Sequence, residues 1–172
     1  MASIENTARL IFRWEGGFSN HPLDSGGATM RGVTFNTYKA YCKKKNLPTP
    51  TIQQLKKLST QDALDVLRVL FWEPLKASQI NNQSIADLIV DNCWGSGLGY
   101  VKIIQRVLGV TPDGVIGPLT LSKINTLPQS QLHKSLKDRR KLYYERVVAN
   151  NPSQKVFLKG WLNRLNDFTF AP

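Results

Sequence analysis

The chain has 172 residues, of which 41% are hydrophobic and 20% are charged. These proportions are ordinary for a folded protein and exclude wholesale disorder, and no apolar run approaches the about 18 residues that a membrane-spanning helix needs. Lysine and arginine number 23 against 12 acidic residues, a net charge of +11, which predicts a polyanionic partner such as nucleic acid, anionic lipid or an anionic cell wall.

The N-terminal third of the sequence predicts two helices separated by a glycine-rich insert. Apolar residues recur at helical spacing over residues 3–14, and Ser3 can cap that helix. Five of the twelve glycines then fall within residues 16–32, which predicts a turn-rich loop or a short β-hairpin. Thr34 is expected to cap a second helix, which ends near residue 45 in a run of lysines.

The remainder predicts helices separated by glycine and proline. Ser59 with Asp62 indicates a helix with a capping-box start, which Pro74 ends, and Ser84 with Asp87 indicates the start of the next. We expect that next helix to be interrupted at residues 95–97 and to resume to about residue 109. Further elements are a turn over residues 110–118, a short helix, a long basic helix from Pro128 to Asn150, and a last helix from Pro152 to Asp167. The expected fold class is mainly α with a small N-terminal hairpin.

Cys42 and Cys93 are too few for a disulfide scaffold, and no Cys/His spacing resembles a metal site. We therefore expect both cysteines to be small core residues in a reduced compartment, and we expect neither a metal nor another cofactor.

The glycine-rich insert carries the candidate catalytic residues. Glu15 follows an apolar helical turn that ends in Trp14, and a carboxyl beside an indole and away from cations favours the protonated form that a general acid needs. Asp24 and Thr29 follow, with glycines that allow the loop to fold back. Hydrolysis of a glycosidic bond needs one carboxyl to protonate the leaving oxygen and a second group to handle water or charge. A surface helix end followed by a simple turn explains the same spacing.

The segment from Glu15 to Thr34, EGGFSNHPLDSGGATMRGVT, resembles the N-terminal signature of glycoside hydrolase family 108. These are N-acetylmuramidases, and some are described as secretion activator proteins. The segment departs from the family pattern at Phe18, His21 and Ser25, where the pattern has Tyr, Asp and Pro. All three candidate catalytic residues are kept.

The resemblance continues in order along nearly the whole chain. Phe71-Trp72-x-Pro74-Leu75 resembles a family segment, and so does the segment from Asp91 to Gly97, except that Gly95 stands where Asn is expected. Residues 103–120 resemble the C-terminal peptidoglycan-binding module of the family, and residues 159–164, KGWLNR, resemble its ending. The order and spacing of Glu, Asp and Thr also resemble those of phage lysozymes.

The resemblance implies a lysozyme-like helical fold, with a catalytic region over residues 1–98 and a peptidoglycan-binding lobe over residues 99–172, packed as one compact unit. It implies hydrolysis of the β-1,4 bond between N-acetylmuramic acid and N-acetylglucosamine. Glu15 would be the acid, Asp24 the base, nucleophile or stabiliser, and Thr29 the residue that holds water. Candidate substrate-binding residues are Asn20, Tyr38, Asp91, Trp94 and Tyr100, with core packing as the alternative for Trp94 and a structural cap for Asp91.

Two other functions are consistent with parts of the sequence. The departures at Phe18, His21 and Gly95 leave room for a non-catalytic peptidoglycan-binding or secretion-accessory protein. The basic helix from Lys134 to Arg146 could follow a phosphate backbone, but no nucleic-acid motif accompanies it, and a solvated face attracted to an anionic wall is the simpler explanation. We expect no secretory signal, synthesis in the cytoplasm, and action in the periplasm or wall after release by a holin or secretion machinery.

Overall fold

The structure, a computed structural model, describes residues 1–20 and 27–172. In these residues the predicted class, mainly α with a small hairpin, is confirmed. The helices are α1 (Ile4–Arg13), α2 (Phe35–Lys44), α3 (Ile52–Lys56), α4 (Thr60–Leu67), α5 (Gln83–Ser96), α6 (Val101–Leu108), α7 (Pro118–Thr126), α8 (Gln129–Asn150) and α9 (Lys155–Asp167), and the strands are β1 (Thr29–Met30) and β2 (Val33–Thr34). None of the described helices is both long and apolar enough to span a membrane.

Helix α1 is amphipathic and begins where the sequence predicts. The Ser3 side chain accepts a hydrogen bond from the Asn6 backbone N–H, which satisfies one of the free donors at the helix start. Its buried face includes Ile4, Ala8 and Ile11. This face packs against α5, so the end of α1, where Glu15 follows, is held against the core.

The hairpin between α1 and α2 has a two-residue turn. Met30 pairs with Val33, which leaves Arg31 at a φ of 51° and Gly32 at a φ of 77° in the turn. Positive φ at both central positions is the type I′ geometry that suits the twist of a tight hairpin. The Thr34 side chain then accepts from the Thr37 N–H and caps α2, as predicted.

Helix α4 begins with the predicted capping box, because the side chains of Ser59 and Asp62 each accept from the other residue's backbone N–H. It continues through a π-helical turn, Arg68–Trp72, that buries Phe71 and Trp72. The sequence analysis missed α3, whose capping box is formed by Thr51 and Gln54.

Helix α5 is the centre of the fold, and every residue from Ser84 to Trp94 is buried. The predicted start at Ser84 is wrong, since Asn82 caps the helix by accepting from the Ile85 N–H, while the Ser84 hydroxyl accepts from the Ala171 N–H. The predicted interruption is also wrong for Gly95 and Ser96, which complete the last helical turn. Gly97, at a φ of 78°, ends the helix because it tolerates a conformation that other residues avoid.

The C-terminal helices enclose the other side of α5. Helix α8 packs against α5 and α9 packs against α8. The turn between α6 and α7 is organised by Asp113, whose carboxylate accepts from the Gln105 side chain and the Val115 N–H. Cys42 and Cys93 are free and buried, as predicted.

We expect Leu88→Ala to lower the free energy of unfolding by about 2–5 kcal/mol, because Leu88 is fully buried on α5 and its loss leaves a cavity. Leu142→Ala is the matched control, since Leu142 lies on α8 and is 53% exposed; its effect should stay within about 0.5 kcal/mol. Urea unfolding of both variants measures the difference, and equal losses would contradict the central position of α5.

Candidate active site

A cleft of about 390 Å³ lies between the end of α1, the hairpin, the end of α5, and helices α8 and α9. Its described lining brings together residues far apart in the sequence. The charged members are Glu15, Asp91, Arg140 and Arg164, and the aromatic members are Trp94, Tyr143, Tyr144, Phe157 and Trp161.

Glu15 is held by two donors that meet at one carboxylate oxygen. The Trp94 indole Nε1 donates to Glu15 Oε1 over 3.2 Å, and Arg164 Nη1 donates to the same oxygen over 2.6 Å. The Glu15 side chain is 16% exposed. The expectation that Glu15 lies away from cations is therefore wrong, because α9 brings Arg164 to it from 149 positions later in the chain.

Arg164 joins Glu15 to a second carboxylate on α5. Its Nε and Nη2 both donate to Asp91 Oδ1, over 3.0 and 2.6 Å, and the Asp91 side chain is 3% exposed. Burial alone would lower the pKa of Arg164, but the carboxylates of Asp91 and Glu15 outweigh burial and raise that pKa above its ordinary value. Arg164 therefore remains charged between the two carboxylates.

The hairpin turn approaches Glu15 so closely that only glycine fits at position 32. A Cβ atom built on Gly32 would lie 2.5 Å from Glu15 Cδ and 2.7 Å from Oε2. The positive φ of Gly32 excludes other residues independently. The turn thus forms one wall against the carboxyl group.

Thr29 lines the cleft as predicted, and its hydroxyl donates to the Gly27 backbone carbonyl over 3.0 Å. Asp24 and His21 lie outside the described residues. Among the predicted catalytic residues, the structure therefore brings Glu15 and Thr29 to one cleft.

Residues 8–97 match the family model described as Glycosyl hydrolase 108. The chain belongs to the glycosyl hydrolase 108 family. Residues 100–166 match a model described as Predicted Peptidoglycan domain. The chain is also similar to the solved structure of SagA from Brucella abortus, at 27% identity over 96% of this chain and 90% of that chain, with a TM-score of 0.82. No curated protein matches the chain.

These matches confirm the resemblance on which the predicted family and its C-terminal module depend. Membership of the glycosyl hydrolase 108 family supports peptidoglycan hydrolysis as the activity, and the second match supports peptidoglycan as the partner. The similarity to SagA over almost its whole length supports the lysozyme-like helical fold.

The predicted substrate-binding residues of this glycosyl hydrolase 108 chain are divided between the cleft and its surroundings. Asp91 and Trp94 line the cleft. The other three predicted residues are not among the described lining residues. Tyr100 is buried and Asn20 is exposed. The ring of Tyr38 stacks on that of Tyr41.

The sequence analysis missed the aromatic wall that α8 and α9 contribute. Tyr144 and Trp161 are stacked with ring centroids 5.2 Å apart, and Trp161 and Phe157 are stacked at 6.0 Å. Trp161 is partly exposed and lines the cleft. Spacing along the basic helix could have indicated Tyr144, one turn from Arg140.

The sequence analysis expected the basic helix from Lys134 to Arg146 to be a solvated face. This expectation is wrong for Arg140, which is buried. Arg140 of α8 is 3% exposed, and its guanidinium lies within 5.0 Å of three tyrosine rings. No group of three or more His, Cys, Asp or Glu side chains is placed to hold a metal ion in residues 1–20 and 27–172.

We expect Gly32→Ala to lower peptidoglycan hydrolysis at least tenfold, because the added Cβ displaces the Glu15 carboxyl, and to cost about 1–3 kcal/mol of stability from the strained φ. Gly160→Ala is the matched control, since nothing lies within 4 Å of a Cβ there. Release of soluble fragments and urea unfolding measure both effects. Wild-type hydrolysis by Gly32→Ala would contradict the close approach.

Proposed function

We propose that this chain is an N-acetylmuramidase that hydrolyses the β-1,4 bond between N-acetylmuramic acid and N-acetylglucosamine, with Glu15 as the general acid. The observation that carries this proposal is the placement of Glu15 in the cleft of a glycosyl hydrolase 108 chain, held by Trp94 and Arg164. In the reaction the Glu15 proton passes to the glycosidic oxygen and the bond from that oxygen to C1 breaks. Water then supplies the new C1 hydroxyl and releases a proton to a basic group.

The hydrogen bonds of Glu15 indicate which oxygen donates the proton. Both recorded donors, the Trp94 indole and Arg164 Nη1, bind Oε1. Because Oε1 already accepts two hydrogen bonds, Oε2 is the oxygen left to carry and donate the proton. Of the two carboxylate oxygens of Glu15, Oε2 is the one that faces Gly32 most closely. Glycine has no side chain to cover it.

The ion pair between Arg164 and Glu15 is compatible with a protonated acid because Arg164 has another carboxylate. Asp91 takes two of the guanidinium N–H groups, whereas Glu15 takes one. The positive charge is therefore balanced by Asp91 while Glu15 carries its proton. When the proton leaves, the Nη1–H of Arg164 already points at the carboxylate that forms, which is electrostatic stabilisation arranged in advance.

Asp24 and Thr29 complete the proposal, handling the attacking water or the positive charge that develops on the sugar. The net charge of +11 favours encounter with anionic peptidoglycan, and added salt weakens such attraction. Delivery to the wall by a holin or by secretion machinery is part of the same proposal.

Glu15→Gln should lower the rate of hydrolysis by about 10²–10⁴-fold, because the amide cannot donate the proton. Purified peptidoglycan is digested with wild type and variant, and the products are identified by mass spectrometry. Glu145→Gln is the matched control on an exposed position of α8 and should retain wild-type activity.

The products decide between the proposed activity and its alternatives. Reducing N-acetylmuramic acid ends, made by wild type and lost in Glu15→Gln, support the muramidase. Reducing N-acetylglucosamine ends or free stem peptides would show that another bond is cut. Binding without any product from wild type would favour the non-catalytic accessory protein.

Arg164→Lys should lower kcat about 10- to 100-fold with a smaller change in KM, because a lysine cannot contact Glu15 and Asp91 in the fork geometry, and misplacing a catalytic group is costly. Arg13→Lys is the matched control, since Arg13 forms an exposed ion pair with Asp167. Steady-state hydrolysis of soluble glycan fragments measures both constants. Equal effects of the two substitutions would contradict a positioning role for Arg164.

A further inference from the structure

Arg140 is the second arginine of the cleft, and its environment differs from that of Arg164. Its guanidinium carbon lies 4.8 Å from the ring centroid of Tyr100, 5.0 Å from that of Tyr143 and 4.5 Å from that of Tyr144. These distances are those of cation–π contacts. The tyrosine rings therefore hold the cation in place without neutralising its charge.

The hydrogen-bond partners of the Arg140 guanidinium, the hydroxyl groups of Ser96 and Tyr144, are neutral. No ion pair of Arg140 is present among the described residues, and the carboxylate of Asp91 is bound to Arg164. Nη1 donates to Ser96 Oγ over 2.7 Å, while Nε is buried with no hydrogen-bond partner in the described part of the chain. A buried arginine without a carboxylate is costly, so this arrangement favours an anionic acceptor.

Gly95 lets the Arg140 guanidinium pack closely against α5. A Cβ at this position would lie 3.0 Å from Arg140 Nη2, so any larger side chain would press on that nitrogen. The family pattern has Asn where this chain has Gly95. The glycine therefore allows the guanidinium to lie directly against the end of α5.

Among the described lining residues, the charges near Arg140 also favour an anionic ligand. The described lining contains two carboxylates, Glu15 and Asp91, and two guanidinium groups, Arg140 and Arg164. When Glu15 carries the proton that the proposed mechanism requires, these four groups together have one net positive charge. Arg164 contacts both carboxylates, whereas Arg140 forms no ion pair with either of them.

We propose that Arg140 and Ser96 form a carboxylate-binding subsite for the substrate, separate from the proton donor. This inference rests on the proposed function, because it assigns part of the same substrate to the same cleft. The Ser96 hydroxyl accepts from Arg140 Nη1, so its own hydrogen is left to donate to a carboxylate oxygen. The guanidinium supplies a charge-assisted hydrogen bond to the same group.

The subsite lies further along α5 than the residue that holds the candidate acid in place. Asp91, which holds the Arg164–Glu15 cluster, and Ser96 are separated by about 7.5 Å of helix axis at 1.5 Å per residue. Peptidoglycan offers two sources of a carboxylate near N-acetylmuramic acid. One is the lactyl carboxylate of N-acetylmuramic acid in strands without stem peptides, and the other belongs to the stem peptide.

The first test uses wild-type protein and paired substrates, and so does not depend on any variant folding. Soluble glycan fragments are prepared with and without stem peptides, and half of each preparation has its carboxylates converted to methylamides. We expect KM to be about 10- to 100-fold lower for the acid than for the amide, as for a charge-assisted hydrogen bond, with kcat within about threefold. The preparation in which this preference occurs identifies the carboxylate.

The second test assigns the preference to Arg140. Arg140→Gln should raise KM for the acid to that of the amide, whereas Arg146→Gln, an exposed arginine on the same helix, should keep the wild-type preference. Gly95→Ala retains the charge and crowds Nη2, and should also reduce the preference. If thermal unfolding shows that Arg140→Gln is not folded, the Gly95→Ala variant tests whether Arg140 is the source of the preference.

Each remaining outcome overturns a defined part of the inference. Equal KM values for acid and amide in both wild-type preparations would exclude the subsite while leaving the hydrolase intact. A preference that persists in the folded variants would exclude Arg140 as its source. If wild type cleaves none of the fragments, the proposed function fails, and calorimetric titration of the same acid and amide fragments tests the subsite by itself.

Discussion

The ion pair that Arg164 makes with Glu15 and Asp91 joins three parts of the chain that are distant in sequence. Glu15 follows α1, Asp91 lies in the middle of α5, and Arg164 lies near the end of α9. All three side chains are at most 17% exposed. Removing one partner would leave a buried charge without compensation, so helix packing and the state of the candidate acid depend on the same contact.

This dependence makes the C-terminal segment part of the candidate active site. The segment that matches a peptidoglycan domain includes Arg164, Arg140 and the aromatic wall. The segment that matches the glycosyl hydrolase model includes Glu15 and Asp91. The described cleft is formed where these two segments meet, so neither of them contains all of its charged groups.

Local features of the sequence were sufficient to predict the starts of α1, α2 and α4, because Ser3, Thr34 and Ser59 bond within three residues of themselves. Glu15 and Thr29 were singled out in the glycine-rich insert, the family resemblance supported the choice, and both line one cleft. The position of Arg164 beside Glu15 could not be predicted in this way, because the two residues are 149 positions apart and no local sequence pattern connects them. Arg140 was missed because burial of one arginine in a basic helix depends on which helix packs against it.

The two arginines of the cleft take separate tasks under the proposed mechanism because their partners differ. Arg164 is balanced by Asp91 before the reaction and gains a second anion, Glu15, when the proton leaves, so its contribution grows as the bond breaks. Arg140 is held by neutral rings, and a substrate carboxylate that it binds is charged both before and after bond cleavage. Its interaction is therefore uniform along the reaction and should appear in KM, whereas the interaction of Arg164 should appear in kcat.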